Sequence, residues 1–316
     1  MSCVRVISPG FLTTVQDLGR FGYAHLGISA AGAADVLSLR LGNLIVGNSE
    51  NAPALEMTLV GAEIEFPEAS IIALAGADMK PTLDEQSIPM WTSISINPGQ
   101  VLKCGVATSG FRAYLCVRGG IDVPLVFGSV STHLQSRLGG FCGRALKNGD
   151  IVPLAGTAPS GSFKPLQVDP AVLSKFEPRK ILRVTSGPQA HLFTQVARQL
   201  FYSSSYEITQ ESDRMGLRLK GVNLARKNDD SEIVTEGVSL GAVQITHAGT
   251  PIILFVDHQT TGGYPKIANV ISADMHNVGQ LRPGDQITFA PVSLPDACAL
   301  LNEQESLIRQ HPFFPA

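Results

Sequence analysis

Residues 257–268 read DHQTTGGYPKIA and follow the apolar run TPIILFV. Asp257 and His258 are groups that can move protons. Gln259, Thr260, Thr261 and Tyr264 add neutral hydrogen-bonding groups, and Lys266 adds a cation. Gly262 and Gly263 let backbone N–H groups approach a ligand or adopt positive φ. The plain alternative is a hairpin turn, with Tyr264 kept extended by Pro265. A turn does not need this density of functional groups, so the stretch points to the wall of a site.

Two other stretches carry similar chemistry. TTVQDLGRFGY packs Gln16, Asp17 and Arg20 into a Gly-rich segment. Arg20 is suited to gripping a carboxylate or phosphate, with Asp17 orienting it. An Asp–Arg pair that staples a long loop to a sheet explains the same residues equally well. In ESDRMGLRLKG, Arg214 precedes an alternating run with Leu217 and Leu219 on one face and Arg218 and Lys220 on the other. Here a strand entry capped by Asp213 is the favoured reading, unless Arg214 turns into a cleft. Asp35 reads as a helix-start charge, and His133 stays open between a capping and a ligand role.

Several familiar chemistries lack their motifs. There is no GxxxxGK[ST], no GxGxxG after a strand and no GxSxG. The seven histidines form no HxxxH or HExxH pair, so no sequence-local metal site is expected.

The elements that must position these residues are mostly short strands. ALEMTLVGAEIEF, SIIALAGA, TSISI, QVLKCGVA and RAYLCVRGGI alternate or run apolar between turn residues. A helix is expected over AADVLSLRLGNLIVGN, another over PQAHLFTQVARQLFY with Pro188 at its start and Leu192, Val196 and Leu200 on one face, and a last one near residues 295–310. The halves share a rhythm: a Leu-x-Gly strand, an apolar strand, a longer loop, then a Pro-Gly turn into a strand. This predicts a mainly β protein with a few helices, built as two related barrel-like domains. The linker-like run APSGSFKPLQVDP sets the expected boundary, with domains over 1–164 and 165–316.

The chain has 316 residues, 24 Lys and Arg against 27 Asp and Glu, and a net charge of -3. No half is strongly basic, which argues against nucleic acid as a partner. Five widely spaced cysteines without a CxxC read as reduced thiols. With no signal pattern and no apolar run long enough to span a bilayer, a cytoplasmic protein without a membrane partner is expected.

TTVQDLGRFGY, GAADVLSLRLGNLIVGN, APALEMTLVGAEIEF, YLCVRGGIDVPLVFGSVST, SDRMGLRLKG and QTTGGYPKIA, in this order, resemble the allophanate hydrolase subunit 2 family, also called the biotin-dependent carboxyltransferase family. The resemblance runs from about residue 4 to about 295. It implies cyclophilin-like β-barrels. It also implies a subunit, inactive alone, of an ATP-dependent 5-oxoprolinase that hydrolyses 5-oxo-L-proline to L-glutamate. Its partners would be subunits A and B, the second of them KipI-like and the direct partner, and which subunit of the complex, this chain included, binds ATP stays open. One alternative is a carboxyltransferase subunit acting on urea or a similar amide, with biotin as cofactor. Another is a non-catalytic, KipA-like regulator that binds a KipI-like kinase inhibitor. Both chemistries must polarise an unreactive carbonyl and stabilise negative oxygen. Arg20, Arg214, Lys266 and the Gly262 and Gly263 amides are donors suited to that charge. Asp257 and His258 are the candidates for proton handling, and Gln16, Asp17, Gln259, Thr260, Thr261 and Tyr264 for substrate binding. Two departures stand out: Leu240 replaces a frequent Pro, and no Met-Lys-Met biotin-carrier motif occurs (Lys80 lies in ADMKPT). Biotin, if used, must therefore be carried on another chain.

Overall fold

Alternation along two long strands decides how the first half folds. The computed structural model describes residues 2–156, 164–227, 233–310 and 312–316. In strand Ser109–Val117, Ala113, Leu115 and Val117 join one apolar cluster while Tyr114 and Cys116 join another. Strand Ser70–Asp78 pairs with it antiparallel and divides the same way, Ile72 and Leu74 against Ile71 and Ala73. A sheet that is apolar on both faces must be covered twice.

These strands belong to a five-stranded sheet ordered Leu12–Gln16, Ala54–Thr58, Ser109–Val117, Ser70–Asp78, Ser93–Ile96. One cover is a six-stranded sheet ordered Ile151–Pro153, Cys3–Ser8, Glu63–Phe66, Gln100–Lys103, Thr82–Leu83, Gln86–Ser87. Val4, Val6, Ile64, Phe66 and Leu102 from it fill the core between the two. The other cover is helix Val36–Ile45, through Leu37, Leu41 and Ile45. Asp35 caps this helix, its carboxylate accepting from Ser38 N–H at 3.0 Å and from the Ser38 hydroxyl at 2.6 Å. Gly42 allows the close approach, because a Cβ there would stand 2.8 Å from Cys116 Sγ.

In the second half, seven strands close into a barrel in the order Ile181–Ser186, Lys266–Val270, Ala242–Ile245, Pro251–Leu254, Gly216–Lys220, Tyr206–Ile208, Gln286–Pro291. Leu217 and Leu219 point inward and Arg218 and Lys220 outward, as their alternation predicts. The protein is mainly β, with five helices among the described residues. None of these is long and apolar enough to cross a membrane.

Two compact units result. The first comprises Met1–Arg20, Ala31–Glu177 and Leu307–Ala316, the second Phe21–Ala30 and Pro178–Ser306. Residues 158–163 of the linker-like run lie outside the described residues. Further along that run, Leu166–Val168 is a strand paired with Phe313–Pro315 in the first unit, and buried Val168 packs with the helix cluster. One helix differs from expectation. It spans Gln195–Ser203 and begins seven residues after Pro188, because the Thr194 hydroxyl caps it by accepting from Ala197 N–H. Its buried face carries Ala197 and Phe201, while Val196 is 63% exposed. Phe201 stacks on Phe289 at 4.4 Å, and that large aromatic contact outweighs the burial of Val196 and Leu200.

Candidate functional site

The Gly-rich stretch ending at Arg20 is almost fully enclosed in the first unit. Asp17 is 2% exposed, and its carboxylate accepts from Gly19 N–H, Val130 N–H and the Ser129 and Ser131 hydroxyls at 2.5–2.9 Å. Arg20 donates to the carbonyls of Ser131 and Val126. Gln16 donates to Thr14 Oγ1 and to the Thr132 carbonyl. Packing reinforces this grip, since a Cβ at Gly139 would stand 2.2 Å from the Ser131 carbonyl oxygen. Gln16, Asp17 and Arg20 thus hold the loop around residues 126–140 in place. His133 belongs to the same loop and accepts at Nδ1 from Ser136 N–H.

The second unit arranges the other candidates along the exit of strand Pro251–Leu254. Arg214 and Asp257 form a buried bidentate pair, Nε to Oδ2 at 2.9 Å and Nη2 to Oδ1 at 3.1 Å. Both carboxylate oxygens are engaged by Arg214, which anchors the strand exit to the residues before Gly216. Asp213 caps the turn before Gly216 through Met215 N–H and Gly216 N–H. His258 Nδ1 bonds the Gln259 carbonyl at 2.6 Å. A carbonyl accepts, so Nδ1 carries the proton and Nε2 the lone pair. Burial lowers the affinity of this ring for a second proton, partly offset by that carbonyl and by the Asp257 charge. The His258 carbonyl in turn accepts from the Ser29 hydroxyl at 2.7 Å.

Beyond Gln259 the chain does not form a plain turn. Thr261–Gly262 pairs antiparallel with Glu236–Gly237, Glu236 lying opposite Gly262, and the Thr260 carbonyl accepts from Val238 N–H. Neither Gly262 nor Gly263 takes a positive φ. Gly262 leaves room for a neighbouring side chain: a Cβ there would stand 2.7 Å from the Gln244 amide nitrogen. The glycine thus lets the ribbon lie against buried Gln244. Thr261 is exposed, and Tyr264 meets the His247 ring edge-on.

This ribbon brings Glu236 to Lys266. The Lys266 side chain is 5% exposed and its ammonium donates to Glu236 Oε1. Gln189 Nε2 donates to the same oxygen at 2.6 Å, and Gln189 Oε1 accepts from Lys266 N–H at 3.1 Å. The bonds from Lys266 and Gln189 hold the Glu236 carboxyl below the usual Glu range. Lys266, Glu236, Pro188, Val238, Ser239 and Asn269 line a cavity of about 430 Å³, a size suited to a small molecule. The Ser239 hydroxyl donates to Asn269 Oδ1 at 2.8 Å.

Of the sequence candidates, Lys266 therefore lines this cavity, with the 257–264 stretch forming the ribbon beside it. Gln16, Asp17 and Arg20 belong to the other unit. Sequence reasoning missed Glu236 and Gln189. Glu236 stands in TEGVSLGAVQ with no local feature to mark it, and its meaning comes from strand pairing to Gly262. The site offers a fixed cation beside a fixed carboxylate. A lactam, amide or urea presents the complementary pair, a carbonyl acceptor and an N–H donor.

The fold and this cavity define a class. The carboxyltransferase domain family, subdomain A and B, matches residues 26–291, and the chain belongs to it. Among its relatives, the C subunit of 5-oxoprolinase from Escherichia coli is 39% identical over 97% of both chains. The urea amidolyase of Saccharomyces cerevisiae is 35% identical over 98% of this chain and 18% of its own length. The crystal structure of the K. lactis urea amidolyase superposes with a TM-score of 0.90 at 35% identity, covering 97% of this chain and 20% of that one. The chain thus spans about a fifth of the urea amidolyases and nearly all of the 5-oxoprolinase subunit.

Proposed function

We propose that this chain is the subunit of an ATP-dependent 5-oxoprolinase that works with subunits A and B to open 5-oxo-L-proline to L-glutamate. The observation that carries this reading is the Lys266–Glu236 pair on the wall of a cavity of about 430 Å³. The end-to-end similarity to the C subunit of a 5-oxoprolinase supports it. Lys266 is the donor for the lactam carbonyl, where negative charge develops on oxygen. His258 Nε2 is a lone-pair acceptor nearby in sequence, and the ribbon contributes Glu236, Gly237 and Val238 to the cavity wall. The residues here do not fit a triphosphate: Lys266 is the one cation among the described residues lining the cavity, and a polyphosphate needs several donors. Under the same proposal, ATP binds a partner subunit and the complex works in the cytoplasm.

The second reading is a carboxyltransferase subunit acting on urea or a similar amide, favoured by the similarity to urea amidolyases. The ureido ring of biotin offers the same carbonyl and N–H, so Lys266 and Glu236 fit it. Carboxybiotin bound there would supply the carboxyl group for transfer. Mixing the chain with subunits A and B, ATP and 5-oxo-L-proline tests the first reading. Glutamate and ADP should form faster than with A and B alone, and no gain would overturn it. Consumption of carboxybiotin would establish the second. Tight binding to a KipI-like partner without turnover would make the chain a regulator.

A further inference from the structure

Glu236 is held by one of its two oxygens. Lys266 Nζ and Gln189 Nε2 both donate to Oε1. Among the described residues no donor reaches Oε2, although Glu236 lines the cavity and its side chain is 45% exposed. Gln189 is itself fixed at two points. Its amide oxygen accepts from Lys266 N–H at 3.1 Å, and its backbone N–H donates to the Lys266 carbonyl at 3.2 Å. The backbone of Glu236 is fixed as well, by pairing with Gly262. Two donors on one carboxylate oxygen set the direction of the group and leave the second oxygen as a charged acceptor. A counter-ion for Lys266 would not need Gln189. The amide does nothing for the lysine charge and acts on the aim of the carboxylate.

Resting on the 5-oxoprolinase reading, we infer that Glu236 Oε2 accepts the ring N–H of the lactam, and that Gln189 is the positioning residue that aims it. Lys266 then meets the carbonyl side of the same amide. The site thereby selects cyclic amides carrying a free N–H and rejects ring analogues without one. The lowered proton affinity of Glu236 keeps it an acceptor at neutral pH.

The test uses the assembled complex and two probes, 5-oxo-L-proline and 3-oxocyclopentane-1-carboxylate, in which CH2 replaces the ring N–H. Dissociation constants are measured for both by calorimetry. The wild-type complex should bind the lactam about 10- to 100-fold more tightly, the range for one charge-assisted hydrogen bond. In Glu236→Ala the ratio should fall to near unity. In Gln189→Met, which keeps the bulk and removes both amide bonds, it should fall several-fold, with the carbocycle binding as before. A simple counter-ion role would shift both probes together, and an unchanged ratio in the two variants overturns the inference while leaving the 5-oxoprolinase reading intact. A wild-type complex that binds neither probe overturns both. Gln189→Met removes no charge, so it remains a fair test if Glu236→Ala unfolds.

Discussion

The stretch around Asp17 and Arg20 and the stretch around Lys266 look alike on paper. Each sets charged side chains among glycines. In the fold they differ in one respect, the state of their hydrogen bonds. Asp17 accepts from Gly19, Ser129, Val130 and Ser131 and is 2% exposed. Every one of those bonds ends on the protein itself. Around Lys266 the same kinds of groups stop short of closure. Glu236 gives one oxygen to Lys266 and Gln189 and keeps the other at a cavity wall. The Asp17 carboxylate is thus spent on its own loop, while the Glu236 carboxylate keeps an acceptor at a cavity. What separates these two carboxylates is whether the protein has already used their bonding capacity.

This contrast is broken most sharply through Asp17. Asp17→Ala strips four donors of a buried acceptor and should cost about 3–5 kcal/mol, read as a lower denaturant midpoint. If stability is unchanged, the stretch is not mortar. Asp257→Asn should follow closely, because it leaves Arg214 without its buried partner, a loss of about 3–5 kcal/mol.

Lys266→Met should show the opposite profile. Glu236, left behind, is half-exposed and water can solvate it, so the stability change should stay within about 1 kcal/mol. Turnover in the assembled complex should fall about 10²–10³-fold, the loss typical of one carbonyl-oxygen donor. Equal loss of fold and activity would erase the difference between the two regions.

A smaller effect sharpens the picture at His258. Its proton affinity is lowered in the folded chain from an ordinary value of 6.5, chiefly by burial. The unfolded chain therefore binds more protons in the window below that value, so stability is lost as pH falls through it. In His258→Gln that acid-side slope should be shallower when midpoints are compared across pH. The smallest effect concerns thiols. Burial pushes Cys104 up to about 12 and Cys116 higher still, whereas Cys142 and Cys298 are exposed. Thiol titration should label the exposed pair at once and the buried pair after unfolding.

The periodicities of the sequence were informative wherever one strand serves two faces. The stretches 70–78 and 109–117 were legible as strands, the fold showing how their side chains divide between two cores, and Leu217 and Leu219 turned inward as their spacing required. Periodicity failed at 195–203, where both Leu192/Val196/Leu200 and Phe193/Ala197/Phe201 fit a helical stripe. The stacking of Phe201 on Phe289 chose between them, and Phe289 lies far away in the chain. Asp35 was legible because a cap is a local bond. Arg214 with Asp257 was not legible as a pair, since 43 residues separate them.

Residue types and their local order thus determined the mainly β character, the capped helix after Asp35 and the stretch in which to look for a site. These depend on interactions within a turn or along one strand. The tertiary structure decided which carboxylate has both oxygens filled and which keeps one open. It made Gly262 a spacer against Gln244, set Glu236 opposite it and brought Gln189 to the same carboxylate oxygen. The reason is physical: whether a polar group is satisfied depends on partners that strand pairing brings from distant parts of the chain, and no local pattern records them.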